Sequence, residues 1–303
     1  MRKFGRIFST AVLATLLLFN ISFSADAADD STYTGWKTSL IVDVTATQTA
    51  YSDSWVGGEA GAFNWVGNLN GTAERQLKPW FDLRSTLKLS FGQTMTQDTS
   101  KTWSKPRKST DLIDWDNLGR FTLHKFVDPF VAFRLESQFM DASFEAKKRY
   151  LSPLTLTQSA GIARKFYEKD KDLLLSRLGL AVKETFRKGI IDSVNAITED
   201  STFVDGGIES VTDFTMTFNE KLMVTSKLTL YKAFFFSKKD DVKGTPAEDY
   251  WKAVDVNWEN IVGASLTKIV SVFFYTKFLY DKQISLKGQF KETIGIGLVL
   301  KLR

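Results

Sequence analysis

From Gly61 to Thr94 the chain alternates between greasy and polar side chains with a period of two. Phe63, Trp65, Gly67, Leu69 and Gly71 share one parity, and Asn64, Asn68, Asn70 and Thr72 share the other. After a break at Gln76 to Pro79, Phe81, Leu83, Ser85, Leu87, Leu89 and Phe91 alternate with Asp82, Arg84, Thr86, Lys88, Ser90 and Gly92. Successive side chains on a strand point to opposite faces, so the pattern predicts a hairpin of two long strands, one face apolar and the other charged. A soluble sheet buries the first face. A membrane barrel turns it to lipid and keeps the charged face inside.

The same alternation recurs about twelve times along the chain. Strands are expected over 36–50, over the two arms of the hairpin, and over 112–123, 131–139, 154–166, 173–185, 208–218, 223–235, 255–266, 269–280 and 294–302. The sixth, 154–166, alternates least cleanly. The segments between them alternate in length. Gln76 to Pro79, Lys125 to Pro129, Glu168 to Asp172, Asn219 to Leu222 and Thr267-Lys268 are short. Met95 to Thr110, Asp141 to Pro153, Arg187 to Asp205 and Ser237 to Asp249 are long. Short turns at one end and long loops at the other are the habit of outer-membrane barrels. The strands are also longer than the five or six residues usual in soluble sheets.

Composition changes the picture in three ways. Arg2, Lys3 and Arg6 precede an apolar run from Ile7 to Phe23 and the small residues of Ala25-Asp26-Ala27, so residues 1–27 read as a secretory signal peptide and 28–303 as the barrel domain. Part of the formal net charge of +5 therefore belongs to the leader. No later stretch reaches the run of roughly 18 apolar residues that a spanning helix needs, which leaves a closed barrel as the way to cross a membrane. The absence of cysteine excludes disulfides, thiol catalysis and Cys-ligated zinc. No basic run interleaved with aromatics suggests a nucleic-acid groove. The 25 Phe, 8 Trp and 8 Tyr suit a lipid-facing wall, although a soluble barrel with an aromatic core would use the same residues.

Several short pieces add a resemblance. They are Ser54-Trp55-Val56-Gly57-Gly58-Glu59 with Phe63 to Gly71, Asp111-Leu112-Ile113-Asp114, Leu151-Ser152-Pro153, Asp205-Gly206-Gly207-Ile208-Glu209, Asp255 to Asn260, and Lys291 to Leu298. With them the chain resembles an uncharacterised group of bacterial outer-membrane barrels that carries a domain of unknown function. The resemblance implies a barrel and an address; it brings no activity or ligand. The ending Lys301-Leu302-Arg303 departs from the terminal aromatic residue of many such barrels.

Candidate chemistry is sparse. The single histidine, His124, falls at a short turn, far from the outer leaflet where a lipid-processing Ser/His pair would be needed. Asp240, Asp241, Glu248 and Asp249, or Glu199, Asp200 and Asp205, offer oxygen ligands without the spacing of a calcium loop. No cofactor and no metal is expected. Lys101, Lys105, Arg107 and Lys108 in one long loop are candidates for contact with lipopolysaccharide phosphates, and Lys147, Lys148 and Arg149 gather in the next. The adjacent glycines of Ser54 to Glu59 fit a tight connection, with Trp55 in an interfacial aromatic girdle. The polar parity supplies a candidate lumen lining: Asp82, Arg84, Lys88, Asp114, Asp116, Arg120, Arg134, Glu136, Arg177, Lys183, Glu209, Asp213, Asp255 and Glu259.

The sequence thus predicts an all-β, antiparallel transmembrane barrel of about twelve strands in the outer membrane, with short periplasmic turns and long extracellular loops. Eight-stranded barrels are filled and sixteen-stranded ones are open, so charges inside twelve strands can close a network or line a passage. The expected role is passive passage or binding of a small polar solute or ion, without enzymatic activity. A plugged structural or surface-interaction barrel is the second reading and an outer-membrane lipid hydrolase the third. The expected partners are outer-membrane lipid, lipopolysaccharide and the outer-membrane assembly machinery.

Overall fold

The computed structural model describes residues 35–50, 60–98, 100, 102–123, 125–169, 172–267 and 269–302, with side chains as far as Leu298. The leader, the Ser54 to Glu59 motif, Lys101 and His124 lie outside the described residues. Twelve strands close a barrel. In chain order they are β1 (Lys37–Thr49), β2 (Ala62–Lys78), β3 (Phe81–Thr96), β4 (Arg107–Phe121), β5 (Asp128–Ser137), β8 (Leu154–Lys169), β9 (Asp172–Asp192), β10 (Ile197–Thr217), β11 (Leu222–Phe236), β12 (Val254–Ser265), β13 (Val270–Tyr280) and β14 (Gln289–Leu302). A loop hairpin, β6 (Met140–Asp141) with β7 (Arg149–Tyr150), stands apart as its own two-stranded sheet. Every strand pairs antiparallel with its neighbour, and β14 returns to β1 through Leu40↔Leu302 to Thr45↔Gly297.

The expected hairpin is present, and its register sets Leu87 opposite Gly71 and Leu83 opposite Arg75. The connections β2–β3, β4–β5, β8–β9, β10–β11 and β12–β13 gather at one end of the barrel, where β1 starts and β14 finishes; the others, longer except for β9–β10, gather at the other. Two loop expectations are corrected. Arg187 to Asp205 is no loop: β9 and β10 pair across it from Arg187↔Ser201 to Ile197↔Asp192, leaving a turn over 193–196. A ribbon that projects into water needs no apolar face, so it carries charges on both parities and loses the alternation that marks a strand. Arg107 to Thr110 likewise belong to β4, paired with Thr94, Gln93 and Gly92.

The barrel is apolar outside and polar inside. Trp115, Leu178, Leu180, Trp258, Phe274, Ile294 and Leu298 are among the exposed large hydrophobic residues, whereas Asp43, Asp82, Asp114, Asp116, Arg120, Arg134 and Arg177 are buried. This inversion is the opposite of a soluble core. Aromatic residues ring the short-turn end. Trp80 stacks on Phe121 with centroids 6.0 Å apart, and the Arg164 guanidinium lies 3.7 Å over the Phe126 ring.

Candidate functional site, the barrel interior

Period-two alternation and a closed sheet leave each inward side chain facing the opposite wall, so the interior is where the polar parity converges. All the residues predicted for the lumen project inward. They divide between two regions of different character.

On the side of β4, β5 and β8 to β11 the interior is filled. Arg134 on β5 donates to both oxygens of Asp114 on β4, at 2.8 and 2.9 Å, and reaches Glu136 at 3.0 Å. Asp116 accepts from Arg177 on β9 at 2.6 Å and from Lys227 on β11 at 2.8 Å, so one carboxylate ties three strands together. Arg120 joins Asp82 at 3.1 Å to Asp128 at 2.7 Å, and Lys165 adds Glu74 at 3.3 Å. Buried charges hold together when they are paired and hydrogen-bonded like this. Apolar residues on the inward parity complete the filling: Leu118, Phe130, Ala163, Leu173 and Leu175 form one cluster. Gly161 and Gly179 sit opposite each other there; a Cβ on Gly179 would come within 3.0 Å of the Phe130 ring and 2.4 Å of the Ala160 carbonyl oxygen. A second cluster, Ala181, Tyr231 and Ala233, meets Trp251 from the β11–β12 loop. Beside it Lys183 reaches Asp255 at 3.4 Å and lies 3.5 Å over the Tyr231 ring.

On the side of β1, β2, β3, β13 and β14 the interior is open. A cavity of about 550 Å³ extends along it, from Lys108 near the long-loop end of β4 to Thr215 and Met223 beside the short β10–β11 turn, and its far wall is the face of the filled side, with Asp116, Leu118, Leu175, Arg177 and Lys227. Much of its wall is small or neutral: Thr45, Asn68, Asn70, Thr72, Thr86, Ser90, Thr225, Thr293 and Gly295. The boundary between the two regions is a tie across the barrel. Lys88 on β3 donates to Glu259 on β12 at 2.6 Å, and the Tyr275 hydroxyl donates to the other Glu259 oxygen at 2.8 Å. Arg84, Lys277 and Lys291 also line the cavity, and among the described residues none of them has a carboxylate within ion-pair distance. Lys291 instead donates to the Thr110 hydroxyl at 2.8 Å, reaching from β14 to β4.

Sequence reasoning missed Lys227, Lys277, Lys291, Lys165, Asp128 and Tyr275 as interior residues. Most carry the signal that found the others, since they share the inward parity of their strands; Lys227 falls between Thr225 and Thr229, opposite Asp213 and Glu259. Leu118, Phe130, Leu173 and Leu175 were a second overlooked signal, because apolar residues on the polar parity mark filling rather than a wetted lumen.

The loop candidates disperse. Lys105 and Arg107 are exposed, but Lys108 turns inward, donating to Gln138 at 2.6 Å and to the Met140 carbonyl, with Asp111 at 3.2 Å. Lys147 and Lys148 are exposed, whereas Arg149 is buried against Asp141 at 2.6 Å and the Lys188 carbonyl at 2.9 Å. Partial burial opposes ionisation of Asp141, yet hydrogen bonds from Ser143 and the Arg149 charge outweigh it and hold the carboxyl below its usual pKa. Of the calcium candidates, Asp241 and Asp249 pair with Lys238 and Lys252, and Asp205 is buried inside the barrel, away from the exposed Glu199 and Asp200. Among the described residues no cluster of His, Cys, Asp or Glu is placed to hold a metal ion.

Comparison with known proteins gives the following. Residues 46–142 match the family described as Protein of unknown function (DUF3078). The matched region contains the Ser54 to Gly71 and Asp111 to Asp114 pieces, and the later pieces lie beyond it. Among curated proteins none matches. Solved structures similar to the chain include the COG4313 outer membrane channel from Pseudomonas putida F1, with 13% identity, 92% of this chain and 99% of that chain covered, and a TM-score of 0.40. The translocator domain of the autotransporter NalP from Neisseria meningitidis shares 9% identity, with 90% of each chain covered and a TM-score of 0.36. The NanC porin shares 8%, with 87% and 100% covered and a TM-score of 0.35.

Proposed function

We propose that this protein is an exported outer-membrane barrel that lets small polar solutes or ions pass, or bind, in the open part of its interior. The apolar exterior with its aromatic ring supports the membrane placement. The observation that carries the solute role is the cavity of about 550 Å³ that follows β1 to β3, β13 and β14 between the two ends of the barrel. Arg84, Lys277 and Lys291, without carboxylates in contact, outweigh Asp43 and Asp213, without cations in contact, and give that cavity a positive bias, which favours anions over cations. Recording single-channel currents from the purified, refolded protein in a planar bilayer tests this reading. Small, anion-preferring steps are expected; a barrel that inserts stably and stays silent favours the second reading, a plugged structural barrel, which the filled β4 to β11 side supports.

A further inference from the structure

From Asn64 to Glu74 on β2 and from Asp82 to Thr94 on β3, the polar inward side chains are bonded to protein groups, with one contiguous exception. Towards the long-loop end the Thr94 hydroxyl donates to Asn64, the Ser90 hydroxyl to Asn68 at 2.6 Å, and the Asn68 amide to Asp43 at 2.7 Å. Towards the short-turn end Lys165 reaches Glu74 at 3.3 Å and Arg120 reaches Asp82 at 3.1 Å. Between these stand Asn70 and Thr72 on β2 and Arg84 and Thr86 on β3. Thr72 is directly opposite Thr86. Asn70 is opposite Lys88, which Glu259 holds, and Arg84 is opposite Glu74, which Lys165 holds. All four are half-buried and line the cavity, and among the described residues none of their side chains bonds to another protein group.

The group offers one guanidinium, one amide and two hydroxyls, and uses none of them within the protein. Those bonds are left to what enters the cavity. Only Arg84 is charged, and the parallel N–H groups of its planar fork match the two oxygens of one carboxylate. Asp116, beside Thr86 on β4, does not compete for it, since it already accepts from Arg177 at 2.6 Å and Lys227 at 2.8 Å. A single cation suits a monoanion better than a phosphate dianion, which needs a second positive group to leave water. The hydroxyls and the amide both donate and accept, as the hydroxyl groups of a polyol do. Leu118, next to Arg84 on β4, and Leu175 border the same cavity and give the C–H side of a solute an apolar surface.

We infer that Asn70, Thr72, Arg84 and Thr86 form a binding site for a small hydroxylated monocarboxylate. Its carboxylate lies on Arg84, and its hydroxyl groups exchange hydrogen bonds with Thr72, Thr86 and Asn70. The inference rests on the solute-bearing cavity proposed above and deepens it, since a general passage for polar solutes needs no such patch.

The probe is radiolabelled gluconate, in equilibrium dialysis against the refolded protein in neutral-detergent micelles. Acetate supplies the carboxylate without the hydroxyls, and sorbitol the hydroxyls without the carboxylate. Saturable retention of gluconate is expected, with acetate and sorbitol each about tenfold weaker competitors or worse. Arg84→Gln should weaken retention by about tenfold or more, and Arg84→Lys, which keeps the charge without the fork, should restore only part of it. Thr72→Val with Thr86→Val, close in shape to the native pair, should bring gluconate down towards acetate and leave acetate unchanged. Neither threonine and neither form of residue 84 removes a bond made within the protein, so the barrel should refold as before. Acetate or sorbitol competing as well as gluconate, retention without saturation, or indifference to the Arg84 and threonine changes overturns the site. Conductance measured on the same preparation keeps the two readings apart: a conducting barrel that does not retain gluconate loses the site and keeps the passage.

Discussion

The two sides of this barrel share one strand pattern and differ in what their inward positions carry. Between β4 and β11 most inward charges have an opposite charge in contact, Asp205, Glu209 and Asp213 on β10 being the exceptions among the described residues, and Phe130, Leu118 and Leu175 occupy the space between. Along β1, β2, β13 and β14 the inward positions are mostly threonines, asparagines and glycines with Phe273 and Tyr275, and they carry Lys277 and Lys291 without a carboxylate in contact and Asp43 without a cation in contact. Pairing is the difference that matters. A charge bound to its opposite across the interior acts as a strut, whereas a charge facing water remains available to a solute.

The contrast can be broken most severely at Arg134. Arg134→Ala strands Asp114 in the filled side and should cost about 3–5 kcal/mol in urea unfolding of the refolded barrel; a loss under about 1 kcal/mol would mean that water reaches that side as freely as the other. The inside-out wall is tested at mid-strand. Leu87→Arg, facing outward, should cost about 2–4 kcal/mol, and Thr86→Arg, facing the cavity, much less. Equal penalties would argue against lipid on the Leu87 side. The smallest effect belongs to the tie between the two regions. Lys88→Met should cost about 1 kcal/mol or less, because Lys277 already stands opposite Glu259 and can take up its freed oxygen. The same variant should widen the passage, raising single-channel conductance and lowering anion preference as Lys277 is neutralised. Unchanged currents would place the tie away from the conducting path.

Much of this was legible in the chain. Alternation located the strands and the inward parity of Asp82, Arg84, Lys88 and Asp114, because a period of two is set by local backbone geometry whatever the neighbours. It failed at Arg187 to Asp205, where a ribbon surrounded by water has no reason to alternate. It was weakest over β8, whose inward positions are Thr155, Thr157, Ser159, Gly161 and Ala163; their small size makes room for Phe130, Arg134 and Arg177 from adjoining strands. The Lys108 and Arg149 side chains were read as loop cations because burial depends on the loop hairpin and the barrel rim that fold around them.

The sequence by itself determined a barrel of about twelve strands and which parity faces inward, since each follows from local periodicity and length. The division of the interior into a filled side and an open one and the Lys88–Glu259 tie were decided by the tertiary structure. Each of these joins residues far apart in the chain, and only closure of the sheet sets which inward charges can touch and which are left facing the cavity.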